Sequence, residues 1–164
     1  MRLAGIIPES VVDGPGVRFV VFAQGCPHHC PGCHNPQTWD IDGGKEMTMQ
    51  EIRKMLRKRK SKLRGITISG GEPFLQAVEM AALAREAKKM DLDVVTYTGY
   101  LYEELLTLKM PGLKELLEVT DLLVDGPFRQ ELKDIALAFR GSSNQRLIDL
   151  AAIRERNIRM LTGQ

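Results

Sequence analysis

The run Arg18-Phe19-Val20-Val21-Phe22-Ala23 decides the fold. It is dense in β-branched and aromatic side chains, closes in Gln24-Gly25, and is followed at once by Cys26, Cys30 and Cys33. Such a run predicts a strand that delivers the first cysteine on a loop at its carboxyl end. Three further segments repeat the pattern: Ile66-Thr67-Ile68-Ser69 ends in Gly70-Gly71-Glu72-Pro73, Asp93–Tyr97 ends in Thr98-Gly99, and residues 120–124 end in Asp125-Gly126-Pro127.

Helical patterns fill the gaps. Thr48 and Glu51 form a capping box that opens a helix with Met49, Ile52 and Leu56 on its apolar stripe, broken by Gly65. Met80, Leu83, Ala84 and Ala87 recur at helical spacing after the glycine turn, and residues 101–108 and 113–119 continue the theme around Pro111-Gly112. Residues 3–7 predict a short edge strand ahead of the first main one and residues 146–150 a fifth strand, while the pattern over 130–139 is ambiguous.

Strands alternating with helices predict an α/β fold with a parallel sheet, whose ligands sit at the carboxyl ends of its strands. A closed eight-unit barrel takes about 250 residues, so this chain supplies a partial, open (βα) barrel of about five strand-helix units. We expect one domain over residues 1–164, its open side covered by a macromolecular substrate. Four motifs at four strand ends point to one shared site.

At 164 residues, 43% hydrophobic and a net charge of +2, composition gives no global argument for nucleic-acid binding. No apolar run of about eighteen residues and no signal-peptide pattern occurs, so a cytoplasmic protein without a membrane span is expected. Charge is uneven, with eight basic residues from Arg53 to Arg64 against Glu51 alone. That stretch reads either as a solvated helix face or as a docking patch for an acidic partner.

The three cysteines are the only ones in the chain. Spacings of three and four residues make a disulfide strained and strand the third thiol, so metal ligation is the default. Three thiolates leave one corner of a four-iron cubane free for a chelating substrate, whereas electron-carrier ferredoxins offer four. A Cys3His zinc site drawing on His28, His29 or His34 is the competing reading.

The CxxxCxxC array followed by Gly70-Gly71-Glu72 resembles the radical S-adenosylmethionine superfamily. Asp13-Gly14-Pro15-Gly16-Val17-Arg18, Gln24-Gly25-Cys26-Pro27, Cys33-His34-Asn35-Pro36 and Thr38-Trp39-Asp40 narrow the likeness to glycyl-radical-enzyme activases. Short length, Asp125-Gly126-Pro127-Phe128 and Gly141-Ser142-Ser143-Asn144-Gln145-Arg146 resemble the branch serving anaerobic (class III) ribonucleotide reductase.

This resemblance implies that Cys26, Cys30 and Cys33 ligate a 4Fe-4S cluster whose fourth iron binds S-adenosyl-L-methionine. Gly70 and Gly71 then let backbone approach the methionine moiety, Glu72 accepts from its ammonium, and Gly32, Cys33 and His34 lie against the adenine. Gly32 replaces the larger side chain of many relatives there. Asp125 is a candidate contact to substrate or ligand, although Asp-Gly-Pro equally makes a turn, and Asn144 and Arg146 are candidates to contact ribose or partner. The loop 13–16 is a candidate cover for the mouth of the site. The implied partners are the reductase large subunit, whose glycine becomes the radical, and an electron donor such as flavodoxin or ferredoxin, with a homodimer left open. No side-chain acid or base is needed. An activase of pyruvate formate-lyase, or a non-catalytic iron-sulfur or zinc module, is the alternative.

Overall fold

A computed structural model describes residues 1–163. Its seven-stranded sheet has the order β3-β1-β2-β4-β5-β6-β7, with β1 Arg2–Ser10, β2 Arg18–Ala23, β3 Lys45–Glu46, β4 Gly65–Gly70, β5 Asp93–Tyr97, β6 Leu122–Asp125 and β7 Arg146–Asp149. Strands β2, β4, β5 and β6 are mutually parallel. They are joined through α1 Met49–Arg59, through α2 Ala77–Lys89, and through the pair α3 Tyr102–Leu105 and α4 Leu113–Val119.

The edges depart from a repeated strand-helix plan. β1 is nine residues long, antiparallel to β2, and lies inside the sheet because the two-residue β3 takes the edge beyond it. β7 returns antiparallel to β6 and leads into α5 Leu150–Thr162, a helix not anticipated from the sequence. The sheet therefore holds four parallel strands between antiparallel borders, and it does not close.

Alternation along β2 sorts its two faces. Phe19, Val21 and Ala23 join Ile66, Ile68, Val94 and Leu123 in a core completed by Ile52 and Leu56 of α1, Met80, Leu83, Ala84 and Ala87 of α2, and Leu113 and Leu116 of α4. The capping box opening α1 forms as expected, Thr48 Oγ1 accepting from Glu51 N and Glu51 Oε2 from Thr48 N. Such a cap contributes about 1 kcal/mol. Residues 101–108 yield only the single turn of α3.

The opposite face carries Val20, Thr67, Val95 and Val124, all buried. Here Arg18, fully buried, donates to Thr67 Oγ1 at 2.8 Å, Pro15 O at 2.8 Å, Ile66 O at 2.7 Å and Asp93 Oδ1 at 2.5 Å. Thr67 in turn donates to Asp13 O, and Arg64 N to Val17 O. The loop 13–16 is thus seated on the amino-terminal halves of β2 and β4, away from the cysteines. Its glycines serve that seat: a side chain on Gly14, whose φ is +132°, would begin 2.8 Å from Arg18.

Candidate functional site

The loop after β2 closes on itself before it reaches any other element. Gly25 N donates to Thr38 O at 2.7 Å, Cys26 N to Trp39 O at 3.3 Å, and the Gln24 amide to the carbonyls of Gln37 and Asp40. Gln76, at the start of α2, donates to Gln24 O and Arg2 O, which clamps the loop's root to β1 and α2. On this base stand Cys26, Cys30 and Cys33, all half-buried and none in a disulfide.

Backbone amides point at the sulfurs. Burial pushes the Cys26 thiol up, while the N–H groups of His28 and His29 pull it back toward the thiolate. Asn35 N lies 3.4 Å from Cys33 Sγ. N–H donors of this kind hold the anionic sulfurs of iron-sulfur clusters and tune them. Among the described residues, no three His, Cys, Asp or Glu side chains converge to hold a single ion.

The glycine turn after β4 packs against this loop. A side chain on Gly70, with φ +103°, would begin 2.4 Å from Ala23 N, and one on Gly71 would begin 2.3 Å from Gly25 O. Glu72 is fully buried, and both of its oxygens are engaged twice: Oε1 accepts from Thr98 Oγ1 at 2.9 Å and Phe74 N at 3.2 Å, while Oε2 meets Gly99 N at 2.8 Å and His28 Nε2 at 2.7 Å. A carboxylate has about four such positions, so any further donor must displace one of these. These bonds fasten the ends of β4 and β5 to the cysteine loop.

Asp125 lies at the carboxyl end of β6. It is fully buried, accepting from Tyr102 N at 2.8 Å and pairing with both Nε and Nη2 of Arg146. Arg146 also forks onto Glu103 at 3.0 and 2.7 Å. Its hydrogen bonds to Asp125 and Glu103 raise the guanidinium pKa further, and the Glu103 carboxyl is held down at about 2 by Arg146.

The segment 126–146 folds over the cysteine loop. Gln130 occupies the space beside Gly32, where a side chain would begin 2.8 Å from Gln130 Cδ, and φ of +75° also calls for glycine there. Phe128 meets His34 edge-on at 5.2 Å, and His29 stacks on Trp39 at 4.6 Å. Gln130 lies in the stretch 130–139 whose pattern is ambiguous in the sequence.

A cavity of about 410 Å³ opens between this segment and the ends of β2 and β5, lined by His28, Cys30, Gly99, Tyr100, Arg129 and Asn144 among others. Asn144 donates to Pro127 O at 2.7 Å and leaves Oδ1 buried without a partner. Three unbridged thiols, two of them with amides aimed at their sulfurs, beside a ligand-sized cavity with an orphaned polar oxygen, fit an iron-sulfur cluster and a small polar ligand.

Comparison with known proteins agrees with this donor set. Residues 12–148 match the family described as 4Fe-4S single cluster domain. The anaerobic ribonucleoside-triphosphate reductase-activating protein of Salmonella typhimurium is 37% identical over 88% of this chain and 96% of its own length. That of Escherichia coli strain K12 is 37% identical over 84% and 92%, and that of Enterobacteria phage T4 is 35% identical over 90% and 93%. The chain belongs to this family of activating proteins. The matched span contains the three cysteines, the glycine turn with Glu72, and the Asp125–Arg146 pair.

Proposed function

We propose that the chain is a radical S-adenosylmethionine activase that generates a glycyl radical on anaerobic ribonucleoside-triphosphate reductase. The observation that carries this reading is the trio of half-buried, unbridged cysteines, with backbone amides on the sulfurs of Cys26 and Cys33, beside the cavity at Cys30. In this reading the open sheet is the partial barrel of that superfamily, and residues 1–164 act as one domain.

Cys26, Cys30 and Cys33 hold the 4Fe-4S cluster, which together with bound S-adenosylmethionine supplies one-electron cleavage of a carbon–sulfur bond and hydrogen abstraction from a glycine Cα. The chain's other residues orient and enclose. Glu72 keeps the cysteine loop against β4 and β5; an ammonium group reaches it by taking the place of His28. Gly32, Cys33 and His34 form the floor for the adenine with Gln130 beside them, and Asn144 Oδ1 is the acceptor available to a ligand hydroxyl or amine. Asp125 supports the site through Arg146, without touching the ligand. Segment 126–146 limits water at the site.

Anaerobic reconstitution followed by dithionite and S-adenosylmethionine should release methionine and 5'-deoxyadenosine, and adding the reductase should produce a glycine-centred doublet in electron paramagnetic resonance. Binding of zinc in place of iron, with no 5'-deoxyadenosine, would refute the reading. A doublet on pyruvate formate-lyase but none on the reductase would move the partner.

A further inference from the structure

A groove of about 430 Å³ lies at the carboxyl end of β4, lined by Gln24, Ile41, Phe74, Leu75, Val78 and Met110 among others. It shares no residue with the cavity beside Cys30. Its wall nonetheless touches the cysteine loop, since Ile41 and Leu75 stand 3.6 and 3.7 Å from where a side chain on Gly25 would begin, one residue before Cys26. Ile41 is 66% exposed and Val78 55%, so the groove presents apolar surface to solvent.

Positive charge gathers beside it. The Met1 ammonium, Arg2 and Lys109 outnumber Glu46 and Glu79, and both carboxylates are paired with Met1. Gln50 opens the outer face of α1 four residues after Glu46, a span of about 14 Å at most. That face carries Arg53, Lys54, Arg57 and Lys58. Glu51, the one acid of α1, is turned back onto Thr48, and Glu86 of α2 pairs with Arg53, which leaves Lys54, Arg57 and Lys58 for the face. Outside residues 49–64 the chain has fifteen Lys and Arg against twenty Asp and Glu, so its excess of positive charge is concentrated on this helix.

We propose that the groove and the basic face of α1 together dock an acidic one-electron carrier protein. The proposal rests on the reading that the cysteines hold a redox cluster. A small apolar patch flanked by one sign of charge suits a brief electron-transfer encounter, where complementary potential speeds association and little area is buried. A nucleic acid would use the stripe and have no use for the groove. With a flavodoxin as carrier, the anionic hydroquinone gives up one electron to become the neutral semiquinone, no proton moves, and the cluster gains that electron.

The test uses flavodoxin with the unaltered chain, a triple variant Lys54→Glu, Arg57→Glu, Lys58→Glu, and Val78→Glu, all changes at exposed positions. Calorimetric titration at 50 and 200 mM salt should show binding to the unaltered chain that weakens with salt; binding should be at least tenfold weaker in both variants, and the salt dependence lost in the triple one. Bleaching of cluster absorbance by reduced flavodoxin should slow about tenfold in the variants, while bleaching by dithionite, which needs no docking, keeps its rate. Unchanged flavodoxin affinity in both variants overturns the proposal, as does tighter binding of a DNA duplex than of flavodoxin by the unaltered chain. If dithionite fails to bleach the unaltered protein, the redox reading itself falls, and this proposal with it.

Discussion

His28 Nε2 lies 2.7 Å from Glu72 Oε2, so a side chain of the cysteine loop closes directly on the buried glutamate that follows β4. With Thr98, Gly99 and Phe74 on the same carboxylate, one residue joins the cysteine loop to two strand ends.

Replacing Glu72 by Gln turns acceptor positions into N–H donors that face other donors. The buried mismatch should cost about 2–3 kcal/mol, read as a lower urea midpoint of the cluster-free chain. His28→Ala removes one of the four partners and should cost less.

The two glycines before Glu72 should tolerate nothing larger. Gly71→Ala drives a methyl carbon to 2.3 Å from Gly25 O, and overpacking of this kind costs about 1–3 kcal/mol or more. At this chain length that lowers the melting temperature by about 2–4 °C per kcal/mol. Gly5→Ala, with nothing within 4 Å of the new carbon, is the control and should melt like the parent.

Arg18→Met removes the donor shared by Thr67 Oγ1, Pro15 O, Ile66 O and Asp93, which keeps Arg64 as a partner. A loss of about 1–3 kcal/mol is expected in urea unfolding. The change lies at the far end of the strands from the cysteines, so iron content per folded chain should be unchanged.

The Glu103 carboxyl should titrate at about 2 in the folded chain, against 4.5 as its ordinary value, because Arg146 favours the charged form. A depressed pKa contributes stability that is complete above about pH 4.5 and is lost as pH falls through about 2. Carbon-detected NMR of the cluster-free chain should show this low midpoint, and Arg146→Met should return it to the ordinary range.

Cys26→Ser, Cys30→Ser and Cys33→Ser should each reduce reconstituted iron to a small fraction of the parent value while the far-ultraviolet circular dichroism stays the same. The cysteine loop is held by Gln24, Gln76 and backbone bonds, and none of these involves a thiol side chain.

Local signals in the sequence reached far for some elements and stopped short for others. The strands β2 and β5 and the helix α4 coincide with their apolar runs, and the capping box placed α1, because in each case the pattern is complete within one segment. Where partners lie far apart in the chain, the pattern carried no such information. Nothing near Asp125 announces Arg146, and nothing near Gly32 announces Gln130. The partners of Glu72 are hidden for the same reason: they come from residues 28, 74, 98 and 99. Loop 13–16 was misplaced because glycine and proline mark a bend without saying which side of a sheet it rests on, a matter settled by the buried Arg18.

The sheet's borders limit what the molecule can become. β3 contributes only Lys45 and Glu46 at one margin, and β7 runs against its neighbour at the other, so neither rim offers a long, uncharged strand for another backbone to join. Growth of the sheet into a complete cylinder, or its extension into a ladder of copies, is blocked at both sides by a few residues of chain.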